Sequence, residues 1–273
     1  YPEYQKLNSN ISLTEFKGIF FWEWLHRVIG RAIGLVFIIP FLYFIITRQL
    51  DKSTIKKTII LLILGGFQGF LGWYMVKSGL VDRPDVSHYR LAAHLTTAFV
   101  TFAFTLWVAL DLIFPIKQTI NKTYRNLIRI GLAILFIQII YGAFVAGLDA
   151  GFIHNHWPMM SEGKFMHETV LTEKTPVYKN FIEGRSGVQF VHRILAFIVV
   201  ISIAIIYIKG KKIAVSNYQL NGLNSLLILV GLQSLLGVLA ILLQVPLWLG
   251  IAHQIGAFLL LSSMIFTVHR FSK

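Results

Sequence analysis

Residues 61–72 read LLILGGFQGFLG and residues 226–237 read LLILVGLQSLLG, agreeing at eight of twelve positions with an offset of 165. Each string lies within an apolar run of about 20 residues, the length at which an α-helix crosses roughly 30 Å of hydrocarbon. Such runs recur at 21–47, 57–77, 91–114, 127–147, 188–208, 222–244 and 247–268. Only 14% of the 273 residues are charged and 56% are apolar, whereas a soluble domain is typically about a quarter charged. The sequence therefore predicts an all-α integral membrane protein with seven transmembrane helices and little room for a separate soluble domain.

The formal charge of +13 is distributed by topology, which argues against a nucleic-acid partner. Arg48, Lys52, Lys56 and Lys57 cluster in one connection, Lys117, Lys122, Arg125 and Arg129 in another, and Lys209, Lys211 and Lys212 in a third. These are alternate connections. Lysine and arginine excess marks the cytoplasmic or matrix side, so these connections and the Arg270–Lys273 tail are expected inside. The first segment and 148–187 are then expected outside. The chain has no cysteine, which excludes structural disulfides and thiolate metal sites. It opens on Tyr1-Pro2-Glu3-Tyr4, without an initiator Met, and reads there as loop, as a fragment would.

The likeness between the halves extends beyond the leucine runs. Glu23-Trp24-Leu25-His26-Arg27 matches Gln189-Phe190-Val191-His192-Arg193 at an offset of 166, and Leu91-Ala92-Ala93-His94 matches Gly250-Ile251-Ala252-His253 at 159. Three consecutive helices thus repeat. The 127–147 helix has no counterpart ahead of residue 21. A duplicated pair of four-helix bundles explains this, with an amino-terminal half at 1–126 and a carboxyl-terminal half at 127–273 that includes the outer loop 148–187. Eight helices are expected in all.

The repeat carries four histidines inside apolar helices: His26, His94, His192 and His253. Each falls four to seven residues from the outer end of its run, a common depth of roughly 6–10 Å at 1.5 Å per residue. An ionisable group at membrane depth points to a functional site, and neutral imidazole is a standard axial ligand of haem iron. One turn after each histidine stands a small residue, Gly30, Ala98, Ala196 or Ala257, on the same face, leaving a slot for a flat macrocycle. Interhelical hydrogen bonding by the histidines is the competing reading. Zinc or copper would require three or four converging ligands.

Arg27 and Arg193 directly follow histidines and Arg90 precedes His94 by one turn. Their forks suit propionate carboxylates, and simple snorkelling to the interface is the alternative. Glu23 lies one turn before His26, where the second half has Gln189. A carboxylate at one site only suggests chemistry in the first half and haem retention or electron transfer in the second. A helix-start glutamate favoured by the dipole is the competing account.

With these residues identified, the chain resembles the haem A synthase family of cytochrome oxidase assembly, in its proteobacterial, bacteroidete and mitochondrial branch. The resemblance rests on Asn8-Ser9-Asn10, Glu15-Phe16-Lys17-Gly18, EWLHRVIGRAIGLVF at 23–37 and GGFQGFLGWYMVKSGL at 65–80. It rests also on Ser87-His88-Tyr89-Arg90-Leu91-Ala92-Ala93-His94 and GAFVAGLDAGFIHNHWPMM at 142–160. It implies haem b on His192 and His253, and haem O as substrate between His26 and His94. It also implies oxidation of a haem O methyl through hydroxymethyl to formyl, with Glu23 as catalytic carboxylate. Expected partners are haem O, the lipid bilayer, haem O synthase and an electron acceptor, with a homo-oligomer left open. The expected location is a bacterial plasma membrane or the mitochondrial inner membrane, carboxyl terminus inside. The family's first helix, with its Gly-Gly-x-Thr-Arg-Leu-type segment, has no counterpart here, nor do the cysteine pairs of Gram-positive members.

Two other classes compete. A di-haem b-type electron carrier needs no carboxylate at one site alone. A transporter would also suit a duplicated bundle, yet these repeats are parallel and carry no broken helix. The loop 148–187, with His154, His156, Trp157, Pro158 and His167, is long enough to be functional and is expected to cap the haem edge from outside.

Overall fold

The computed structural model describes residues 11–82, 86–114 and 122–272. The Tyr1–Tyr4 opening, the Asn8-Ser9-Asn10 lead-in, Lys117 and Lys273 lie outside them. Among the described residues seven helices are long and apolar enough to cross a membrane. They are α1 (Leu13–Ile46), α2 (Lys52–Asp82), α3 (His88–Ile113), α4 (Lys122–Gly147), α5 (Arg185–Lys211), α6 (Asn217–Leu242) and α7 (Leu247–Arg270). The protein is a multi-pass membrane protein of all-α class. Only 6% of the apolar window of α1 and 39% of that of α7 are buried within the chain, and helices of this kind satisfy their own backbone in an apolar surrounding.

The helices begin earlier than hydropathy indicates. α1 starts at Leu13, eight residues before the apolar run, because Ser12 and Glu15 form a capping box: Glu15 N–H donates to Ser12 Oγ at 3.3 Å and Ser12 N–H to Glu15 Oε2 at 2.9 Å. Each side chain satisfies one otherwise orphaned donor. Asp51 caps α2 through the N–H groups of Ser53 and Thr54, at 3.1 and 3.2 Å. Ser216 caps α6 through Gln219 N–H at 3.3 Å. Lys52, Lys56, Lys57, Lys122, Arg125, Arg129, Lys209 and Lys211 consequently sit on helix ends and not in loops.

The chain divides into two units, Tyr1–Thr101 and Phe102–Lys273. The first holds α1, α2 and the start of α3. α1 buries only Phe16 and Phe41.

The second unit is built on α4 against α5 and α6 against α7. α4 buries Tyr124, Ile128, Gly131, Leu135, Ile139 and Ala143, a stripe at helical spacing. Gly131 lets the helices approach closely there, since a Cβ would come within 2.6 Å of Ile206 Cδ1 and the Ile206 and Met264 side chains would have to shift. Tyr124 donates its hydroxyl proton to the Ile206 carbonyl at 2.9 Å. In the same unit Asp111 on α3 pairs with the fully buried His269 on α7 at 3.1 Å, and Trp107 meets the His269 ring edge-on.

The 148–187 segment is not a structureless loop. The last three of its residues already belong to α5. Short helical turns occupy 150–152, 169–172, 177–179 and 180–183. Asn180, fully buried, organises them. Its Nδ2 donates to the carbonyls of Leu171, Lys174 and Val177 at 3.1, 3.0 and 2.9 Å, and its Oδ1 accepts from Lys174 N–H at 2.7 Å. Glu173 then caps α5, accepting from Arg185 and Ser186 N–H, each at 3.0 Å.

Candidate functional site

Each of three membrane histidines is seated the same way, by a glutamine and a glycine one turn apart on the preceding helix. Gln68 and Gly72 on α2 serve His94 on α3. Gln138 and Gly142 on α4 serve His192 on α5. Gln233 and Gly237 on α6 serve His253 on α7. In every pair the glutamine Nε2 lies 3.4 Å from the histidine Nε2. A Cβ on the glycine would approach the histidine Cε1 to 3.0 Å at Gly72, 3.3 Å at Gly142 and 3.0 Å at Gly237. The glycine makes room for the edge of the ring, and the amide one turn away meets its Nε2.

His26 and His94 are near enough to interact electrostatically, as are His192 and His253. His26 itself is exposed on α1. Beside the histidines, Gly30 has open space where a Cβ would stand, and Ala98, Ala196 and Ala257 are only half-buried.

The arginines have different surroundings. Arg27 pairs with Glu23 at 3.4 Å across one helical turn and lies over the Phe20 ring. Arg90 lies over the Tyr74 ring at 5.2 Å. Arg193, the counterpart of Arg27 in the repeat, is buried and serves the 148–184 segment. Its Nη2 donates to the His154 carbonyl at 2.6 Å, and its Nη1 to those of His156 and Met159 at 2.8 and 3.2 Å. Gln189, the counterpart of Glu23, also donates to the His154 carbonyl, at 3.4 Å. The two repeats thus use equivalent positions differently: an ion pair in the first, an anchor for 148–184 in the second.

The sequence of the whole site region has known counterparts. The family model of the cytochrome oxidase assembly protein matches residues 1–265. The chain belongs to this family. Proteins named heme A synthase from Flavobacterium johnsoniae and Flavobacterium psychrophilum are 59% and 58% identical to it, covering all of this chain and 81% of their own length. One from Nitrosospira multiformis is 42% identical, again over all of this chain and 77% of its own length.

Members of an assembly family for a haem-containing oxidase handle haem, and the residues here fit that group. The Nδ1 atoms of His94, His192 and His253 are buried without a hydrogen-bond partner, as are the Oε1 atoms of Gln68, Gln138 and Gln233. A ligating imidazole uses one nitrogen for the metal and needs an acceptor for the N–H of the other. On each of these histidines Nδ1 is uncommitted, while Nε2 lies against the glutamine amide nitrogen. Two histidines per unit beside small residues suit axial ligation of a flat group.

The loop histidines form a chain at the outer start of α5. His167 Nδ1 lies 2.7 Å from Thr169 Oγ1, which lies 2.7 Å from Ser186 Oγ, and His154 Nε2 lies 3.0 Å from the same hydroxyl. Ile153, His154, Thr169, Glu173, Arg185 and Ser186 line a cavity of about 290 Å³ beside it. Burial and the neighbouring His167 and Arg193 hold the His154 imidazole below its ordinary pKa, with Glu173 opposing.

The glutamine–glycine seats are the feature that the sequence reading missed. The signal was present: Gln68, Gly72, Gln233 and Gly237 all stand at matching positions of the two leucine-rich strings. Gln138-x3-Gly142 is a third copy of the same spacing.

Proposed function

We propose that this chain performs the haem A synthase reaction, oxidising a peripheral methyl group of haem O to the formyl group of haem A for cytochrome oxidase. It is an oxidoreductase of the membrane, and the full-length family match with relatives of that name supports the reading. The observation that carries the division of labour is the contrast at equivalent positions of the repeat. Glu23 and Arg27 form a polar pair beside His26, while Gln189 and Arg193 are engaged by loop carbonyls beside His192.

In this reading His192 and His253 hold haem b, which supplies one-electron redox capacity when bound. His26 and His94 hold haem O. Converting methyl to formyl with water as the oxygen source releases four electrons and four protons. A carboxylate near the methyl accepts a proton or stabilises positive charge developing there, and this reading assigns that role to Glu23. Arg27, one turn from Glu23, orients that carboxylate through their 3.4 Å ion pair. Arg27 and Arg90 are assigned to the haem O propionates. Arg193 is assigned to positioning the outer loop, since both its Nη atoms are engaged. The halves divide functionally as 1–126 for substrate and 127–273 for haem b.

The alternative, a di-haem b-type electron carrier, leaves Glu23 without a role. The proposed location is a bacterial plasma membrane or the mitochondrial inner membrane, with the carboxyl terminus inside and 148–184 outside. Haem O synthase and an electron acceptor are the partners such a reaction requires. Because the chain lacks cysteine, a single Glu162→Cys substitution in the exposed loop reports orientation through membrane-impermeant thiol labels.

Haem extraction from cells that make haem O but no haem A tests the activity. Expression of the protein should yield haem A, and His26→Ala or His94→Ala should leave haem O. His192→Ala and His253→Ala should remove the b-haem spectrum, and His26→Ala should keep it. Equal loss of the spectrum from all four would overturn the assignment of the halves.

A further inference from the structure

The seat beneath each histidine recurs three times with the same spacing and the same 3.4 Å contact, yet interhelical packing alone requires no glutamine there. Leucine or alanine would fill a lipid-buried helix face, and a buried amide whose carbonyl oxygen has no partner costs free energy. In all three cases that Oε1 is buried and unpartnered. The same polar residue at three seats, each with its amide nitrogen against an imidazole, indicates a function beyond packing.

The surroundings hold the amides in place. A Cβ added at Gly256 would collide with Gln233 Oε1, so the α7 backbone lies directly against that amide. Gln233 Nε2 also donates to the backbone carbonyl of His253 at 3.0 Å. The glycine holds the ring edge close and the amide fixes its rotation.

We propose that Gln68, Gln138 and Gln233, each with the glycine one turn on, are positioning residues for axial histidines. The glutamine amide nitrogen, 3.4 Å from the imidazole Nε2, orients the imidazole plane. This rests on the haem reading above, and extends it from the ligands to the residues that tune them. Outer-shell partners that fix the orientation of a ligand tune the metal it holds. Both ligands of the second half have such a seat, through Gln138 and Gln233. The reduction potential of haem b is therefore set from α4 and α6 as well as from the histidine-bearing α5 and α7.

The test uses the purified full-length protein with its haem b. Gln138→Met and Gln233→Met keep side-chain length and remove the amide. Each should shift the haem b midpoint potential, move the low-spin ferric resonance and speed haem transfer to excess apomyoglobin by about ten- to a hundredfold, the usual cost of losing an outer-shell partner. Gln68→Met, in the other unit, should leave all three readouts as in the wild type. Glycine substitutions supply variants that keep the amide. Gly237→Ala places a methyl 3.0 Å from His253 Cε1, whereas Gly231→Ala, on the same helix, meets nothing within 4 Å. The resonance should move in Gly237→Ala and stay in Gly231→Ala.

Unchanged potential, resonance and release rate in both glutamine variants would overturn the proposal. So would equal behaviour of Gly231→Ala and Gly237→Ala. Retention of the b-haem spectrum in both His192→Ala and His253→Ala would instead overturn the haem reading itself, so the two failures are distinguishable.

Discussion

The guanidinium of Arg193 holds the carbonyl oxygen of His154 at 2.6 Å, joining the third turn of α5 to the 148–184 segment 39 residues before it. His156 and Met159 are held by the same side chain. Hydrogen bonds from a charged donor contribute about 1.5–3 kcal/mol each. Arg193→Met is therefore expected to release 154–160, with local opening favoured by about 3 kcal/mol or more. Hydrogen exchange of these amides should accelerate by two orders of magnitude or more, and Arg193→Lys should not restore it, because an ammonium lacks the planar fork. Unchanged protection would show that the segment is held by its other contacts.

Asn180 makes four bonds within the outer segment, so Asn180→Ala removes them together. At about 1 kcal/mol each, reduced where one amide serves three carbonyls, the loss is about 3 kcal/mol. Limited proteolysis at Lys174 and Lys179 should become fast in Asn180→Ala, while far-ultraviolet circular dichroism stays at the wild-type value. Loss of the helical signal would instead tie Asn180 to the stability of the spanning helices.

Acid should loosen the same region. The His154 pKa lies below the ordinary 6.5, chiefly through burial, then through His167, Arg193 and His156, with Glu173 acting in the opposite sense. The opened segment binds a proton near 6.5 and the packed one only at lower pH. The packed form therefore keeps its full stability above about pH 6.5 and loses it progressively as pH falls below that value. Exchange of the 150–170 amides, corrected for intrinsic rates, should rise between pH 7.5 and 5.5 in the wild type. It should be flatter in His154→Gln, and an identical rise in both would assign the effect to another group.

Glu23→Gln should keep the b-haem spectrum and lower haem A formation. General acid–base assistance is worth about 10²–10⁴ in rate, so haem O or its hydroxymethyl derivative should accumulate by that factor. Wild-type haem A levels in Glu23→Gln would reduce Glu23 to a helix-surface partner of Arg27.

The spanning helices were legible because twenty apolar residues leave few alternatives, and the family was legible from long strings such as EWLHRVIGRAIGLVF. The helix starts were not. Hydropathy reports the hydrocarbon slab, whereas α1 and α2 continue through polar turns fixed by Ser12–Glu15 and Asp51. Arg193 read as a propionate ligand by analogy with its neighbour in sequence, yet its partners are backbone carbonyls, which carry no sequence signature. The order of the outer segment was hidden for the same reason: Asn180 acts almost wholly on main-chain groups. Gln138 escaped notice because its helix lacked a repeat partner to be compared with.

The anchoring of the outer segment has a kinetic consequence. Tyr124 to Ile206, Arg185 to Asp149, Glu173 to Ser186 and Arg193 to His154 all close between residues 122 and 206. None of them needs α6 or α7. Chains fold in units as they emerge from the ribosome, so this helical hairpin can zip shut in the bilayer while the last two helices are still being synthesised. Asn155 then latches the late arrival, donating to the Ile241 carbonyl at the end of α6 at 2.9 Å. His192 would thus be seated on Gln138 before its partner His253 exists, giving the pair an order of assembly.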